Sequence, residues 1–115
     1  MKLPNGTHAV IDIEKLRDYC LSSQHPEGRH KARVFLSALG INSSDAENFR
    51  AILLYAAAEN DMITMTSSDQ YGCRYSFDLI VTWSSRKALV RTAWIIKANE
   101  EWPRLVSCYV LRGEA

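Results

Sequence analysis

The stretch from His25 to Arg33, His-Pro-Glu-Gly-Arg-His-Lys-Ala-Arg, holds two of the chain's three histidines and three of its 14 basic residues. Imidazole, with an ordinary pKa of ~6.5, is suited to taking and giving protons near neutral pH. The stretch opens a helix, where free N–H groups and the positive end of the dipole favour an anion. Basic side chains are not what a helix start itself favours, so Arg29, Lys31 and Arg33 point to a second purpose, such as holding a phosphate. The chemistry these types support is phosphodiester cleavage next to a 2′-hydroxyl. His25 or His30 would be general base or acid, Lys31 would steady charge on the phosphorane, and Arg33 would contact the substrate. The competing reading is a solvated helix start with His25 in the preceding turn.

Helical geometry narrows the choice. Ala32, Phe35, Leu36 and Leu39 form an i, i+3, i+4, i+7 apolar stripe. Lys31 and Arg33 then lie on opposite flanks of that stripe, and His30 lies nearly opposite it. His25 precedes the helix and is free to turn inward. Lys31 stands four residues before Phe35, so its stem can cover core while its head reaches a site. Arg29 reads as surface.

A second set lies in the C-terminal half. Arg74, Ser76 and Asp78 alternate along one strand face, and a hairpin would bring Arg91 or Thr92 opposite them. Arg91 is flanked on its own face by Leu89, Ala93 and Ile95, and a charge among apolar neighbours must be paired or must line a cleft. Two outcomes are open: an Arg91–Asp78 ion pair, or an arginine that stabilises a pentacoordinate phosphate, with Arg74, Ser76 and Thr92 on the substrate. His8 is isolated and reads as surface. The histidines form no metal-spacing motif, and glycine-rich phosphate loops, GxSxG and HExxH are absent, so neither metal nor cofactor is expected. Trp83, Trp94 and Trp102 read as core and hairpin packing.

The elements that must position these groups follow from period. Ala9-Val10-Ile11 reads as a short strand. Asp12 caps a first helix at about 13–21, with Ile13, Leu16, Cys20 and Leu21 at helical spacing. Pro26 starts a second helix at about 26–39, closed by Gly40. Ser44 and Glu47 fit a capping box for a third at about 45–59, its core face made by Phe49, Ile52, Leu53 and Ala56. From there the period falls to two. Strands are expected at about 62–66, 73–83, 88–97 and 104–111. Helices first and strands second predict an α+β fold, with three helices on one face of a mainly antiparallel four-stranded sheet. One domain spans 1–115, with a helical half at about 9–60 and a sheet half at about 61–112.

Composition sets the outer limits. The chain has 115 residues, 47% of them hydrophobic, with net charge +1, so whole-molecule steering toward nucleic acid is not expected. No apolar run is long enough to span a membrane, and no leader pattern is seen, so a cytoplasmic protein is expected. Cys20, Cys73 and Cys108 are odd in number, lack CxxC spacing and sit in apolar patterns, as free thiols in a reducing compartment would.

Ile13, Lys15, Leu16 and Tyr19, then His25-Pro26-x-Gly28-x-His30-Lys31-Ala32-x-x-Phe35 and Leu39-Gly40, resemble a small bacterial domain family of unknown function. Tyr71-Gly72-x-Arg74-Tyr75, Val90 to Ile95 and Pro103 to Tyr109 look like its later blocks. The resemblance covers nearly the whole chain, and the HPxGxHKAxxF block is its most specific part. Association of such domains with polymorphic toxins implies a toxin-like nuclease. The layout is similar to the barnase/EndoU/colicin/RelE-like ribonuclease fold, an analogy of fold that transfers no catalytic residue. Two functions are therefore expected: a metal-independent ribonuclease acting on RNA, or a non-catalytic interaction module. The module would be a regulator, an immunity-like protein or a mobile-element accessory. Partners on these readings are RNA, an antitoxin or immunity protein, or a second copy in a homodimer. The ribonuclease reading requires His25, Lys31, Arg74 and Arg91 to share one cleft.

Overall fold

The computed structural model describes residues 1–111. A short helix α1 (Ile13–Lys15) runs directly into a π-helical turn (Leu16–Cys20). Helix α2 (Arg29–Leu39) and helix α3 (Ala46–Glu59) follow, and then four strands: β1 (Thr64–Asp69), β2 (Gly72–Trp83), β3 (Arg86–Lys97) and β4 (Arg104–Val110). Their order in the sheet is β1-β2-β3-β4, and each adjacent pair is antiparallel. The α+β architecture, with N-terminal helices and a C-terminal antiparallel sheet, is as the change of period predicts.

Alternation decides which face of the sheet the helices cover. On β2, Tyr75, Phe77 and Val81 are buried; on β3, Val90, Thr92 and Trp94; on β4, Leu105, Cys108 and Val110. Phe35 and Leu39 of α2 and Phe49 and Leu53 of α3 pack into the same core. Phe35 meets Phe49 edge to face at 5.4 Å, and Phe77 stacks on Trp94 at 5.9 Å. Successive strand residues point to opposite faces, so Arg74, Ser76, Asp78, Arg91 and Tyr109 fall on the other, open face.

Several boundaries differ from expectation, each for a local reason. The first helix does not run evenly to residue 21. Its end widens, and the Leu21 N–H donates to the Leu16 carbonyl at 2.8 Å, five residues back. Helix α2 begins at Arg29 instead of Pro26, because residues 25–28 form a turn held by the His25 ring. The capping box before α3 is Asn42 with Asp45, two residues earlier than Ser44 with Glu47. Asn42 Oδ1 accepts the Ser44 N–H, and Asp45 Oδ2 accepts the Asn42 N–H, both at 2.9 Å. The strand expected at 9–11 is a single parallel bridge from Val10 to Arg104. The first sheet strand is shifted from 62–66 to Thr64–Asp69. Trp94 is core, whereas Trp102 is exposed and stacks on His8. No helix among the described residues is long and apolar enough to cross a membrane.

Candidate functional site

The open sheet face carries a groove of about 590 Å³ whose lining includes Thr64, Arg74, Ser76, Asp78, Arg91 and Tyr109. Strand register builds it: Asp78 pairs with Arg91 across β2–β3, and Arg91 with Tyr109 across β3–β4. Arg91 grips Asp78 with a two-point fork, Nε to Oδ1 at 2.9 Å and Nη2 to Oδ2 at 3.1 Å. Asp78 first, and Tyr109 second, hold the Arg91 pKa above its already high ordinary value, so the guanidinium stays charged. The ion pair expected as the structural alternative is therefore formed, and the same arginine lines the groove. Ser76 Oγ donates to the Thr92 carbonyl at 2.8 Å. Arg74 has no ion-pair or hydrogen-bonding partner for its side chain among the described residues, and its guanidinium is open to a ligand.

The HPxGxHKAxxF block sits on the helical side, and most of it has structural work. His25 Nδ1 accepts the N–H groups of Glu27 and Gly28 at 3.0 and 2.9 Å, which makes the imidazole the cap of the turn into α2. Its ring stands edge-on to Tyr19 at 4.8 Å. Gly28 approaches the π-helical turn so closely that a Cβ there would lie 2.0 Å from the Tyr19 carbonyl oxygen. Lys31 Nζ donates to Tyr19 Oη at 3.1 Å and lies 5.1 Å from that ring's centroid. The Tyr19 hydrogen bond is the main reason the Lys31 pKa is raised, partly opposed by burial. Ala32 and Phe35 are core. His30 is different. It is exposed, has no hydrogen-bond or ion-pair partner among the described residues, and lines a shallow hollow with Lys31, Val34, Tyr109 and Val110.

The cleft required by the sequence reading is thus divided. His25 lines a hollow with Glu14, Lys15, Asp18, Tyr19 and Glu27, apart from the groove that holds Arg91. His30 and Lys31 share a second hollow, and Arg74, Ser76 and Arg91 share the groove. Thr92 does not reach any of them: it is fully buried, donates to the Phe77 carbonyl at 3.0 Å and accepts the Trp94 indole N–H at 2.8 Å. Strand parity explains this, since Arg91 faces out and its neighbour must face in. Arg33 is exposed on α2 and lines none of these hollows. The residue that joins the two sets is Tyr109, which lines both the groove and the His30 hollow. Sequence reasoning overlooked it. Its place opposite Arg91 depends on a β-bulge that shifts the β3–β4 register between Ala93 and Trp94. Among the described residues no group of three or more His, Cys, Asp or Glu is placed to hold a metal ion.

A helix-backed antiparallel sheet with a polar, arginine-bearing groove on its free face is the class that these observations define. The chain belongs to a family described as a domain of unknown function, DUF6883, whose sequence profile matches residues 2–112. No curated protein matches it. Its fold is similar to that of a chain in the contact-dependent growth inhibition toxin–immunity protein complex from Klebsiella pneumoniae 342. The TM-score is 0.68 at 14% identity, over 89% of this chain and 99% of that one. At that identity the likeness is one of fold.

Proposed function

We propose that the protein is a toxin-like ribonuclease that cleaves RNA without a metal ion, its site wrapping around the edge formed by β4. The observation that carries this reading is Tyr109, which joins the charged groove to the hollow holding an unpartnered imidazole. Arg74 and Arg91 would bind the scissile phosphate and its developing charge. His30 would move the proton of the 2′-hydroxyl or of the leaving oxygen. Lys31 adds positive charge at the rim, and Tyr109 positions the phosphate beside Arg91. His25 takes the structural part of a helix cap in this scheme. RNA in the bacterial cytoplasm is the substrate, and a neutralising protein that covers the groove is the natural partner.

The test is incubation of the purified protein with total RNA in EDTA, alongside His30→Ala, Tyr109→Phe and Arg74→Ala. Cleavage is expected to survive EDTA. The His30 variant is expected to fall by ~100-fold or more, the low end of what a general acid or base contributes. RNA left intact by the wild-type protein over a wide concentration range, with and without magnesium, would overturn the reading.

A second reading, a non-catalytic interaction module, has its own observation. Met62, on the rim of the groove, is 78% exposed, and the cross-strand pair Ile80 and Leu89 on the same sheet face is 69% and 41% exposed. Apolar side chains left in water around a polar face are a protein-docking pattern. Stoichiometric capture of a partner that Ile80→Lys abolishes, with no RNA cleavage, favours the module. Light scattering separates a foreign partner from a second copy.

A further inference from the structure

The groove on the open sheet face does not end at Arg74. The same residue lines a second hollow of about 490 Å³ toward the hairpin ends, together with Tyr71, Ile95 and Lys97. Strand register makes the join. Gly72 pairs with Lys97 and Arg74 with Ile95, so Arg74 and Lys97 are diagonal neighbours on the face that carries Arg91. The Lys97 and Arg91 rows are six residues apart, roughly 20 Å along the strands. At this end the β1–β2 turn is tied to the end of β3. The Tyr71 N–H donates to Asp69 Oδ1 at 2.8 Å, and the Tyr71 carbonyl accepts the Ala98 N–H at 2.9 Å. Gly72, at φ 144°, lies so close to β3 that a Cβ there would stand 2.2 Å from the Ile96 carbonyl oxygen. The backbone that carries Tyr71 is thus fixed, while the residue itself is 68% exposed. The lining holds two cations and no carboxylate, and neither the Arg74 nor the Lys97 side chain has a hydrogen-bond or ion-pair partner among the described residues.

We propose that this hollow is a subsite for a nucleotide flanking the cleaved phosphate, and that the ligand of the sheet face is an extended single strand of RNA running from Arg91 over Arg74 to Lys97. The subsite rests on the ribonuclease reading for the chemistry beside Arg91, and adds the substrate class. Arg74 and Lys97 meet phosphates along the strand, and Tyr71 stacks a base whose other contact is the apolar Ile95. Cations that track a backbone, interleaved with an exposed ring that takes any base, are what single strands bind. A duplex keeps its bases stacked within the helix and offers none to Tyr71.

The experiment measures fluorescence anisotropy of a labelled 2′-O-methyl oligouridylate of about eight residues, which has no free 2′-hydroxyl to be cleaved, over a salt series. The strand should bind more tightly than a 2′-O-methyl duplex. Tyr71→Ala should weaken it ~5-fold or more, and Tyr71→Phe, which keeps the ring, should not. Lys97→Gln should make the slope of log affinity against log salt shallower by ~0.7, the share of one phosphate on a single strand. Both side chains are exposed, and circular dichroism checks that the variants are folded. Cleavage assays separate the two claims. Tyr71→Ala and Lys97→Gln should cut a dinucleotide as the wild type does and a longer strand less well. The same binding pattern in a protein that cuts no RNA ends the ribonuclease reading and leaves the subsite standing. Wild-type affinity in both variants, no binding by the wild type, or poly-glutamate held as tightly as the strand overturns the subsite, whether or not RNA is cut.

Discussion

Replacing His25 with alanine separates a helix cap from a catalytic base. The ring nitrogen accepts two backbone N–H groups at 3.0 and 2.9 Å, and the ring meets Tyr19 edge-on at 4.8 Å. Loss of a capping side chain costs about 1 kcal/mol, within a range of roughly 0.5–2. The aromatic contact adds about 0.5–1.5 kcal/mol. The two N–H groups stand near the surface and recover some water, so the net expectation for His25→Ala is about 1–3 kcal/mol. For a domain of this size that corresponds to a fall in melting temperature of roughly 4–12 °C. Calorimetry or urea unfolding reads it directly. His25→Asn keeps an acceptor at the cap and should recover about 1 kcal/mol. If the ribonuclease reading holds, RNA cleavage per folded molecule should be unchanged in both variants. An alanine variant with wild-type stability and no cleavage would refute the reasoning and return His25 to the chemistry.

The core and the turns give three further tests. Thr92→Val strands the buried Trp94 indole N–H and should cost about 1–3 kcal/mol in urea unfolding, whereas Thr92→Ser should cost clearly less; equal losses would deny the hydroxyl its role. Gly28→Ala forces a methyl against the Tyr19 carbonyl and should destabilise by about 1–3 kcal/mol or more; a neutral result would mean that the turn and the π-helical segment are not in contact. The third concerns pH. In the folded state the Cys20 pKa is depressed from 9.0 to about 7, chiefly by the Cys108 thiol. A depressed acid contributes stability that is complete above its unfolded pKa and is lost as pH falls through its folded value. Under reducing conditions the urea midpoint should therefore rise between pH 7 and 9. Cys108, with its raised pKa, should turn the trend downward above 9. Cys20→Ser should remove the rise, and a wild-type midpoint that falls over that interval would contradict the assignment.

The parts of the fold that period alone reveals are those with one clean buried face. Phe35 and Leu39 on α2, Phe49 and Leu53 on α3, and the alternating Tyr75, Phe77 and Val81 on β2 are all core in the structure. Strand β1 was harder to place because every residue in it is exposed, so Thr-Met-Thr-Ser-Ser-Asp carries no burial period at all. The start of α2 was misplaced because proline at a first helical turn is a general preference, whereas an imidazole acting as a cap is a local one. The π-helical turn is invisible for a different reason. Leu16 and Cys20 keep ordinary i, i+4 spacing in the sequence, and only the Leu21 N–H reaching back five residues to the Leu16 carbonyl shows that the backbone has widened around them.

The same distinction runs through the site. The Arg91–Asp78 pair was legible because a hairpin fixes the register between neighbouring strands, and parity then places both side chains on one face. Parity also meant that Arg91 and Thr92 could not both line that face. The link between the HPxGxHKAxxF block and the sheet was not legible, since it depends on where α2 crosses β4 and on a bulge that sets Tyr109 opposite Arg91. Spacing rules act within one element, and this link is made between elements far apart in the chain. What the structure adds is therefore a sorting of the block by occupation. His25, Gly28, Lys31, Ala32 and Phe35 are each engaged in holding the fold, and His30 is left facing solvent beside Tyr109. A side chain whose chemistry is useful and whose bonds are unused is where the search for activity belongs, and in this chain that places it on the β4 edge and away from the Pro26 bend.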